Sequence, residues 1–422
     1  MSRPQTPSHE PRYQVRMAQS TIEQLVQRAF PGINLISYSE PDTVKGYNNR
    51  VYFLKVRRSG LSSVFRDSDE AERELVLKIN GRFFFENKVQ NEVGCIQILG
   101  NYCKDIPTPT VFAWSQEGTN VVLSSPLGEE KKEITISIDP RDKTHGGWIL
   151  MSRLPGKPLS SCNFDDAAML DIMKQLANVT ASWRTNIPAQ KYIGNMQFHT
   201  SVHETPPDFV ITGNSSPEPQ GLVIRGILVD ELRITTPITS TTQQYAVKIE
   251  QKINDLENSD GYLPNRYLAP SLRKFIETRL PQLNIDQAPC TRSSGAFVFT
   301  HWDFSPRNIL VTESPPRISG IVDFEFAGFF SPVHEFLNDF IGNAGDWPAN
   351  HYSTYLEELG RKGIATPALG IDKITWDTLY GLEKVSEHIA PWWLPGRHEG
   401  AALEEQFAEA AGVVEENLAK IN

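Results

Sequence analysis

The sequence lacks any apolar run approaching the roughly 18 residues that a membrane-spanning helix requires. The first residues, MSRPQTPSHEPRYQVR, also lack the apolar core of a secretory signal peptide. We therefore expect no membrane partner and predict a cytoplasmic location.

Cysteine is scarce as well. The four cysteines are Cys95, Cys103, Cys162 and Cys290, and no two of them form a CxxC pair. Their spacing favours neither a cysteine zinc site nor a disulfide framework. Reduced thiols in a cytosolic protein are the expectation.

Positive charge is in deficit, because 41 lysines and arginines stand against 51 aspartates and glutamates, a formal net charge of -10. Proteins that bind nucleic acid generally need a basic surface, so no nucleic-acid partner is expected. A neutral or cationic small molecule is easier to accommodate, although solubility alone accounts for an acidic surface.

The length of 422 residues exceeds the usual size of one hydrophobic core, so two lobes are expected. Residues 1–18 are polar and are predicted to be a disordered lead-in. The first lobe is assigned to 19–155 and the second to 156–422, with the break at Pro155-Gly156. The second lobe carries an insertion near 200–260 that begins rich in Ser, Thr, Pro and Gly.

Most of the first lobe is predicted to form antiparallel strands, because β-branched and aromatic residues partly alternate between turn-forming stretches. The predicted strands are INLISY, NRVYFLKV, ELVLKI, VFAW, NVVLSS and WILMSRLPG. Apolar residues at helical spacing predict helices over 21–30 and 84–99. The charged segment SGLSSVFRDSDEAERE is predicted to be a solvated loop.

The second lobe is predicted to be mainly helical. Amphipathic spacing indicates a helix over 165–186, another over 243–258 and a terminal helix over 401–422.

Two segments of the second lobe carry the strongest chemical signal, FVFTHWDFSPRNILVTE and ISGIVDFEFAG. They place Asp303, Asn308 and Asp323 beside short apolar runs. Phosphoryl transfer needs metal ligands for the phosphates and a carboxylate that accepts the proton of the attacking hydroxyl. Asn308 and Asp323 offer the hard oxygen ligands that Mg²⁺ prefers, which leaves Asp303 for the substrate.

The segment HWDFSPRN resembles the H-x-D-x-x-x-x-N catalytic loop of aminoglycoside phosphotransferases, choline kinases and protein kinases, and IVDFEFAG resembles the metal segment of the first two groups. The resemblance implies an α+β, bilobal, protein-kinase-like fold with a small antiparallel β-rich nucleotide-binding lobe and a larger, mainly helical lobe for catalysis and substrate binding. It implies that Asp303 is the catalytic aspartate, that Asn308 and Asp323 bind Mg²⁺, and that His301 supports the loop.

The sequence departs from these families at several positions. Glu325 stands where the D-F-G segment of protein kinases has glycine, which disfavours a protein substrate. Trp302 and Arg307 add bulk and charge to a loop that is commonly H-G-D in the antibiotic kinases. A role in drug resistance is therefore not assigned.

The resemblance extends to Lys78, which matches the strand lysine that grips the α- and β-phosphates of ATP. Its helix partner is either Glu92 or Glu86, and helix phase favours Glu92 because that residue lies beside the apolar Val93 and Ile96. The alternative is that Lys78 and Glu92 are ordinary surface residues, which is the usual position of such side chains.

The turn Gly46-Tyr47-Asn48-Asn49 occupies the place of the phosphate-covering loop, so Gly46, Asn48 and Asn49 are candidate nucleotide contacts. Gly and Asn are also the residues of ordinary turns. The backbone of Ser152 and Leu154, in ILMSRLPG, matches the hinge that hydrogen-bonds adenine in this superfamily.

The acceptor site is assigned to the second lobe from Glu325 onward. Glu325, Trp392 and Trp393 are candidate substrate contacts, and together with Trp347 the tryptophans offer rings for a cation or a ring-shaped acceptor. Paired tryptophans are also common packing residues. The oligomeric state is not predicted.

The sequence thus predicts an ATP- and Mg²⁺-dependent phosphotransferase that acts on the hydroxyl group of a small molecule, such as an amino alcohol, a sugar-like compound or a secondary metabolite. The alternative is a nucleotide-binding pseudokinase or scaffold without turnover. The intact set of Asp303, Asn308 and Asp323 favours the enzyme.

Overall fold

The computed structural model divides the chain into two compact units. The first unit contains Met1–Gly156, Met196–Val223 and Ser319–Glu325, and the second contains Lys157–Asn195, Ile224–Ile318 and Phe326–Asn422. The structure describes residues 10–41, 47–58, 72–82, 87–123, 132–136, 142, 147–198, 209–211, 220–224, 226–228, 237–288, 297–341 and 346–421. Within these residues no helix is long and apolar enough to cross a membrane.

The described residues form the following strands and helices. The strands are β1 (Ile33–Ser39), β2 (Asn49–Arg58), β3 (Glu72–Asn80), β4 (Val111–Ser115), β5 (Asn120–Leu123), β6 (Lys132–Thr135), β7 (Trp148–Ser152), β8 (Lys157–Pro158), β9 (Met196–Phe198), β10 (Phe209–Ile211), β11 (Gln220–Ile224), β12 (Val298–Thr300), β13 (Ile309–Glu313), β14 (Pro316–Ile321) and β15 (Gly328–Phe330). The helices are α1 (Gln19–Ala29), α2 (Asn87–Tyr102), α3 (Asp166–Asn186), α4 (Thr241–Asn258), α5 (Ala269–Thr278), α6 (His334–Ile341), α7 (Ala349–Arg361), α8 (Lys373–His388), α9 (Leu394–Arg397) and α10 (Gly400–Lys420).

The first unit is built on a seven-stranded sheet with the order β1-β2-β3-β7-β4-β5-β6 and antiparallel neighbours. Strand β3 places Leu75, Leu77 and Ile79 in the core that α1 completes on one face of the sheet. Side chains alternate along a strand, so Lys78 points to the opposite face. This alternation sends Lys78, which sits in the apolar part of the strand between Leu77 and Ile79, toward α2.

Helix α2 is fixed on the other side by strand β9 of the same unit. The Asn91 side chain accepts a hydrogen bond from the backbone of Met196 at 2.7 Å, and Gln90 accepts one from Phe198 at 2.9 Å. Gly94 lies where an added methyl group would approach Leu222 at 3.3 Å. These contacts hold α2 in one orientation and therefore fix where Glu92 lies.

The second unit is mainly helical. Helix α3 begins after Asp165, whose side chain accepts the amide of Ala168 at 2.8 Å as an N-cap. Its buried Trp183 contacts Phe304 edge-on, with ring centroids 5.2 Å apart. Helices α4 and α8 are joined by an ion pair between the buried Lys248 and Glu383 at 2.8 Å.

Most predicted elements are present, and the ends of the five predicted helices differ by at most three residues from those of α1, α2, α3, α4 and α10. The charged segment at 59–74 differs from its prediction, because its last three residues belong to β3, where Glu72 pairs with Lys55 and Arg57 on β2. Residues 59–71 lie outside the described residues.

The lead-in also differs from its prediction at residues 10–18. Val15 and Met17 are buried in the core of the first unit, and Arg50 donates a hydrogen bond to the carbonyl of Val15 at 3.0 Å. Two apolar residues form no periodic pattern, so this burial could not be predicted from the sequence. Residues 1–9 lie outside the described part of the chain.

The division into units is less simple than a single break in the chain. The first boundary falls after Gly156, next to the predicted Pro155-Gly156 break. Two later segments, Met196–Val223 and Ser319–Glu325, return to the first unit. Asp323 and Glu325 therefore belong with Lys78 and not with Asp303.

Candidate active site

Lys78 lies at the centre of a buried cluster of charges in the first unit. Its residue is 6% exposed, and its ammonium group is 2.7 Å from Glu92 Oε2, 2.5 Å from Asp323 Oδ1 and 2.9 Å from Glu325 Oε2. The predicted pairing with Glu92 is thus present, while Glu86 lies outside the described residues. Burial alone would lower the pKa of Lys78, but the three carboxylates outweigh it and raise the pKa well above the usual value.

Asp323 follows strand β14 and adopts the left-handed backbone conformation, with φ of 69°. Its burial, together with the neighbouring charge of Glu325, raises its pKa to about 7. Charge pairing with Lys78 acts in the opposite direction. A cation bound at this carboxylate would favour its ionised form.

Glu325 is buried and each of its carboxylate oxygens is already bonded. Oε1 accepts a hydrogen bond from Asn48 at 2.9 Å, and Oε2 accepts one from Asn49 at 2.5 Å. Burial acts to raise the pKa of Glu325, but the ammonium groups of Lys78 and Lys88 hold it well below the usual range. Because both carboxylate oxygens of this buried residue already accept hydrogen bonds, the predicted contact of Glu325 with the substrate does not agree with the structure.

The predicted phosphate-covering turn is described only in part. Gly46 lies outside the described residues. The side chains of Asn48 and Asn49 are used by Glu325, so only their backbone amides remain for the predicted phosphate contacts. Asn49 begins β2 and faces Asn80 at the end of β3.

The predicted adenine hinge is partly occupied by the sheet itself. The amide of Ser152 donates to the carbonyl of Thr110 at 2.9 Å, and its hydroxyl accepts the amide of Thr110 at 2.8 Å. Ser152 ends β7, so its amide is not left for adenine, and a contact through the rest of its backbone stays a prediction. Leu154 follows the strand, and its adenine contact stays a prediction.

The second unit holds Asp303 and Asn308 on the loop between β12 and β13. Asn308 donates from its side-chain nitrogen to the Asp303 carboxylate at 3.0 Å and to the Asp303 carbonyl at 2.8 Å. Arg307 donates to the other carboxylate oxygen at 2.6 Å and reaches Asp346 at 2.7 Å. The loop thus fixes both oxygens of Asp303.

His301 and Glu335 support this loop from inside the second unit. His301 is fully buried, and its ring lies 5.5 Å from that of Phe304. Its backbone amide donates to the carboxyl group of Glu335 at 3.2 Å. The predicted supporting role of His301 therefore runs through its backbone as well as its ring. Arg184 approaches the same carboxyl group at 3.5 Å.

The three tryptophans considered for the acceptor lie in different surroundings within the second unit. Trp392 is 46% exposed and meets Trp393 edge-on at 6.1 Å. Trp393 packs against the small core of Leu394 and Phe407. Trp347 is buried beside Tyr352, at 5.9 Å between rings. Trp392 is the most accessible of the three, and its acceptor contact stays a prediction.

Sequence reasoning missed two buried residues that touch the predicted ones. Lys88 lies 3.1 Å from Glu325, and Glu335 binds the backbone of the catalytic loop. Lys88 is one helical turn before Glu92, a spacing that places both on one face of α2 and could have identified it. Glu335 gave no such signal.

The donor atoms fit a magnesium ion. Asp323 offers a carboxylate, and the bonds that Asn308 makes to Asp303 come from its amide nitrogen, so its amide oxygen is the atom suited to a cation. In the first unit, three carboxylates face two ammonium groups, so the ionised cluster carries one excess negative charge. Each of these oxygens, taken by itself, is of the kind that Mg²⁺ prefers.

Comparison with known families decides the class of the protein. The model of the phosphotransferase enzyme family, abbreviated APH, matches residues 45–368. The chain belongs to this family. The phosphotransferase is thus an enzyme of the small-molecule kinase type, as the sequence predicted. No curated protein sequence matches the chain at a significant level.

Several solved structures are similar to the phosphotransferase over most of its length. The gentamicin complex of APH(2″)-IIa gives a TM-score of 0.50 at 10% identity, over 95% of this chain and 97% of that one. A protein of Ralstonia eutropha described as an aminoglycoside phosphotransferase gives 0.48 at 12% identity, over 96% and 98%. Spectinomycin phosphotransferase with ADP and spectinomycin gives 0.46 at 12% identity, over 94% and 98%. The match to the gentamicin complex confirms the predicted α+β, kinase-like fold class.

Proposed function

We propose that this phosphotransferase moves the γ-phosphoryl group of ATP to a hydroxyl group of a small molecule, with Mg²⁺ as cofactor. The observation that carries the proposal is the placement of the Lys78 ammonium group between Glu92 and Asp323, 2.7 and 2.5 Å away. A buried lysine held in this way is a fixed positive charge, which suits the phosphates of a nucleotide.

The groups proposed for ATP, apart from Asn308, belong to the first unit. Glu92 keeps the Lys78 side chain in one position, so that its ammonium group is available to the phosphates with little loss of side-chain freedom. Asp323 and Asn308 would hold Mg²⁺, which when bound neutralises charge on the phosphate oxygens. The backbone amides of Asn48 and Asn49 are candidate donors to the same phosphates.

The second unit supplies the groups for the acceptor. Asp303 accepts the proton of the acceptor hydroxyl while the new bond forms between that oxygen and the γ-phosphorus. The bond from the γ-phosphorus to the β,γ-bridging oxygen breaks, and ADP leaves with that oxygen. Asn308 and Arg307 each hold one oxygen of the Asp303 carboxylate, which limits its rotation.

The acceptor is proposed to be an amino alcohol, a sugar-like compound or a secondary metabolite. Glu325 argues against a protein substrate, because it stands where the D-F-G segment of protein kinases has glycine. Trp392 and Trp393 are the proposed acceptor contacts in the second unit.

The proposal is tested by incubating the purified protein with γ-labelled ATP, Mg²⁺ and a metabolite extract, followed by mass identification of the labelled product. We expect one class of hydroxyl compound to gain phosphate. Asp323→Asn is the control and should abolish labelling. Stabilisation by ATP without any labelled metabolite would instead favour a nucleotide-binding protein without turnover.

A further inference from the structure

Lys88 is a buried cation that the proposed chemistry does not use. It is the second residue of α2, and only 1% of its surface is exposed. Its ammonium group lies 2.9 Å from Asn49 Oδ1 and 3.1 Å from Glu325 Oε2. A fully buried lysine is uncommon unless it is paired, because removing the charge from water is costly.

Glu325 connects Lys88 to the nucleotide side of the first unit. Lys78 and Lys88 both approach the same carboxylate oxygen, at 2.9 and 3.1 Å. The Glu325 carbonyl also accepts a hydrogen bond from Asn91 of α2 at 3.0 Å. If Lys88 were absent, Lys78 would be the only one of these two ammonium groups left to pair with the Glu325 carboxylate.

The charges of the cluster show what Lys88 contributes. Glu92, Asp323 and Glu325 surround Lys78, so one ammonium group alone would face three carboxylates. When all of these groups are ionised, Lys88 reduces this excess to one negative charge. Since the phosphates of ATP are themselves negative, each added negative charge at this position opposes their binding.

We propose that Lys88 is a positioning residue that neutralises Glu325 and so leaves Lys78 available to the phosphates of ATP. Its second contact holds Asn49 at the start of β2, next to the turn that is proposed to cover those phosphates. The inference rests on the proposed function, since it concerns the same nucleotide site.

The first test replaces Lys88 with methionine, which keeps the length of the side chain and removes its charge. Lys88→Met should raise the dissociation constant of Mg·ATP about tenfold or more, measured by calorimetry without acceptor. Lys55→Met is the matched control, because Lys55 pairs with Glu72 on the exposed part of β2. It should bind Mg·ATP as the wild type does.

The second test removes the partner charge. Glu325→Gln in the Lys88→Met background restores the charge balance of the wild type, so Mg·ATP affinity should return to within about threefold of it. Glu325→Gln alone should bind at least as tightly as the wild type. A purely structural role for Lys88 would lower the thermal midpoint of the nucleotide-free protein and leave the dissociation constant unchanged.

The outcomes separate the two proposals. If the wild type bound no Mg·ATP, the proposed function would fail. If the wild type bound Mg·ATP and Lys88→Met bound it equally well, or if the double variant bound no better than Lys88→Met, the role of Lys88 would be refuted. If Lys88→Met did not fold, the double variant would provide the test, because it leaves no carboxylate without its cation. Its dissociation constant for Mg·ATP should lie within about threefold of that of the wild type, and much weaker binding would refute the role of Lys88.

Discussion

Glu335 is the buried carboxyl group that holds the backbone of the catalytic loop. Burial raises its pKa to about 7, although Arg184 and the amides of His301 and Trp302 act in the opposite direction. The folded protein therefore binds a proton here that the unfolded chain releases near pH 4.5. The stability that this group contributes is complete below that pH and is lost as pH rises through about 7.

The raised pKa of Glu335 predicts a measurable pH dependence of the free energy of unfolding. Between pH 5 and 7, the free energy of unfolding of the wild type should fall relative to that of Glu335→Gln by about 1.4 kcal/mol per pH unit at most. Urea unfolding at several pH values measures the difference. Asp323 titrates in the same range, so Asp323→Asn is the control that isolates the Glu335 contribution. A difference that grew in favour of the wild type with rising pH would contradict the assignment.

Single residues also show which part of the site could be predicted. Lys78, Glu92 and Asp323 were found from the motifs, and helix phase alone chose Glu92 correctly as the partner of Lys78. The contact between Lys78 and Asp323 joins residues 245 positions apart in the chain. Local spacing carries no information on such a contact, and the same holds for Lys88 and Glu325.

At the scale of elements, the catalytic loop begins with a strained residue. Trp302 has φ of 74°, a region that favours glycine, and it is 5% exposed. Its ring stacks on His334 at 5.4 Å, contacts Phe330 at 4.4 Å and lies 5.7 Å from the ammonium group of Lys248. Packing of the ring therefore offsets the strain of the backbone.

Trp302→Gly tests which of these effects is larger. Glycine relieves strain of about 1–3 kcal/mol, but loss of a buried tryptophan side chain costs about 3–5 kcal/mol. We expect the protein to be less stable by about 2 kcal/mol in urea unfolding followed by far-UV circular dichroism. Trp302→Phe keeps a ring and should lose less. Equal or greater stability of the glycine variant would show that strain outweighs packing.

Gly147 fixes the entry of strand β7, which lies beside Lys78 in the sheet through Ile149. Its φ is 81°, and an added methyl group would lie 2.0 Å from the carbonyl oxygen of Ser115. Gly147→Ala should therefore destabilise the protein by more than about 1 kcal/mol. Thermal unfolding measures the change.

Gly412, inside α10, is the matched control for this substitution. Apart from its chain neighbours and the backbone of its own helix, no atom of the described residues lies within 4 Å of a methyl group added there. Gly412→Ala should therefore stabilise the helix by about 0.5–1 kcal/mol. If both variants changed stability in the same direction, backbone conformation would not explain the effect at Gly147.

The presence of a strand or helix could be predicted more readily than its exact ends or the tertiary contacts of its residues. The alternation of Leu75, Leu77 and Ile79 was enough to predict β3 and its buried face. Burial of Val15 and Met17 could not be predicted, because it depends on a core that only the folded first unit creates. Ser152 was assigned to adenine by its place in a motif, whereas its amide donates to the carbonyl of Thr110, the residue before β4.

At the scale of the whole molecule, the site residues are divided between the two units. Lys78, Glu92 and Asp323 belong to the first unit, and Asp303 and Asn308 to the second. The sequence predicted two lobes, but the return of Ser319–Glu325 to the first unit could not be foreseen from a linear division at residue 156.

The rate of phosphoryl transfer by Asp303→Asn, measured with labelled ATP and the acceptor that the extract assay identifies, tests the central claim most directly. Asparagine keeps the shape of the side chain and cannot accept the proton, so kcat should fall at least about 10²-fold. The affinity for Mg·ATP should stay within about threefold of the wild type, because its proposed ligands are unchanged. A variant that transferred phosphate at the wild-type rate would contradict the role of Asp303 as the catalytic base.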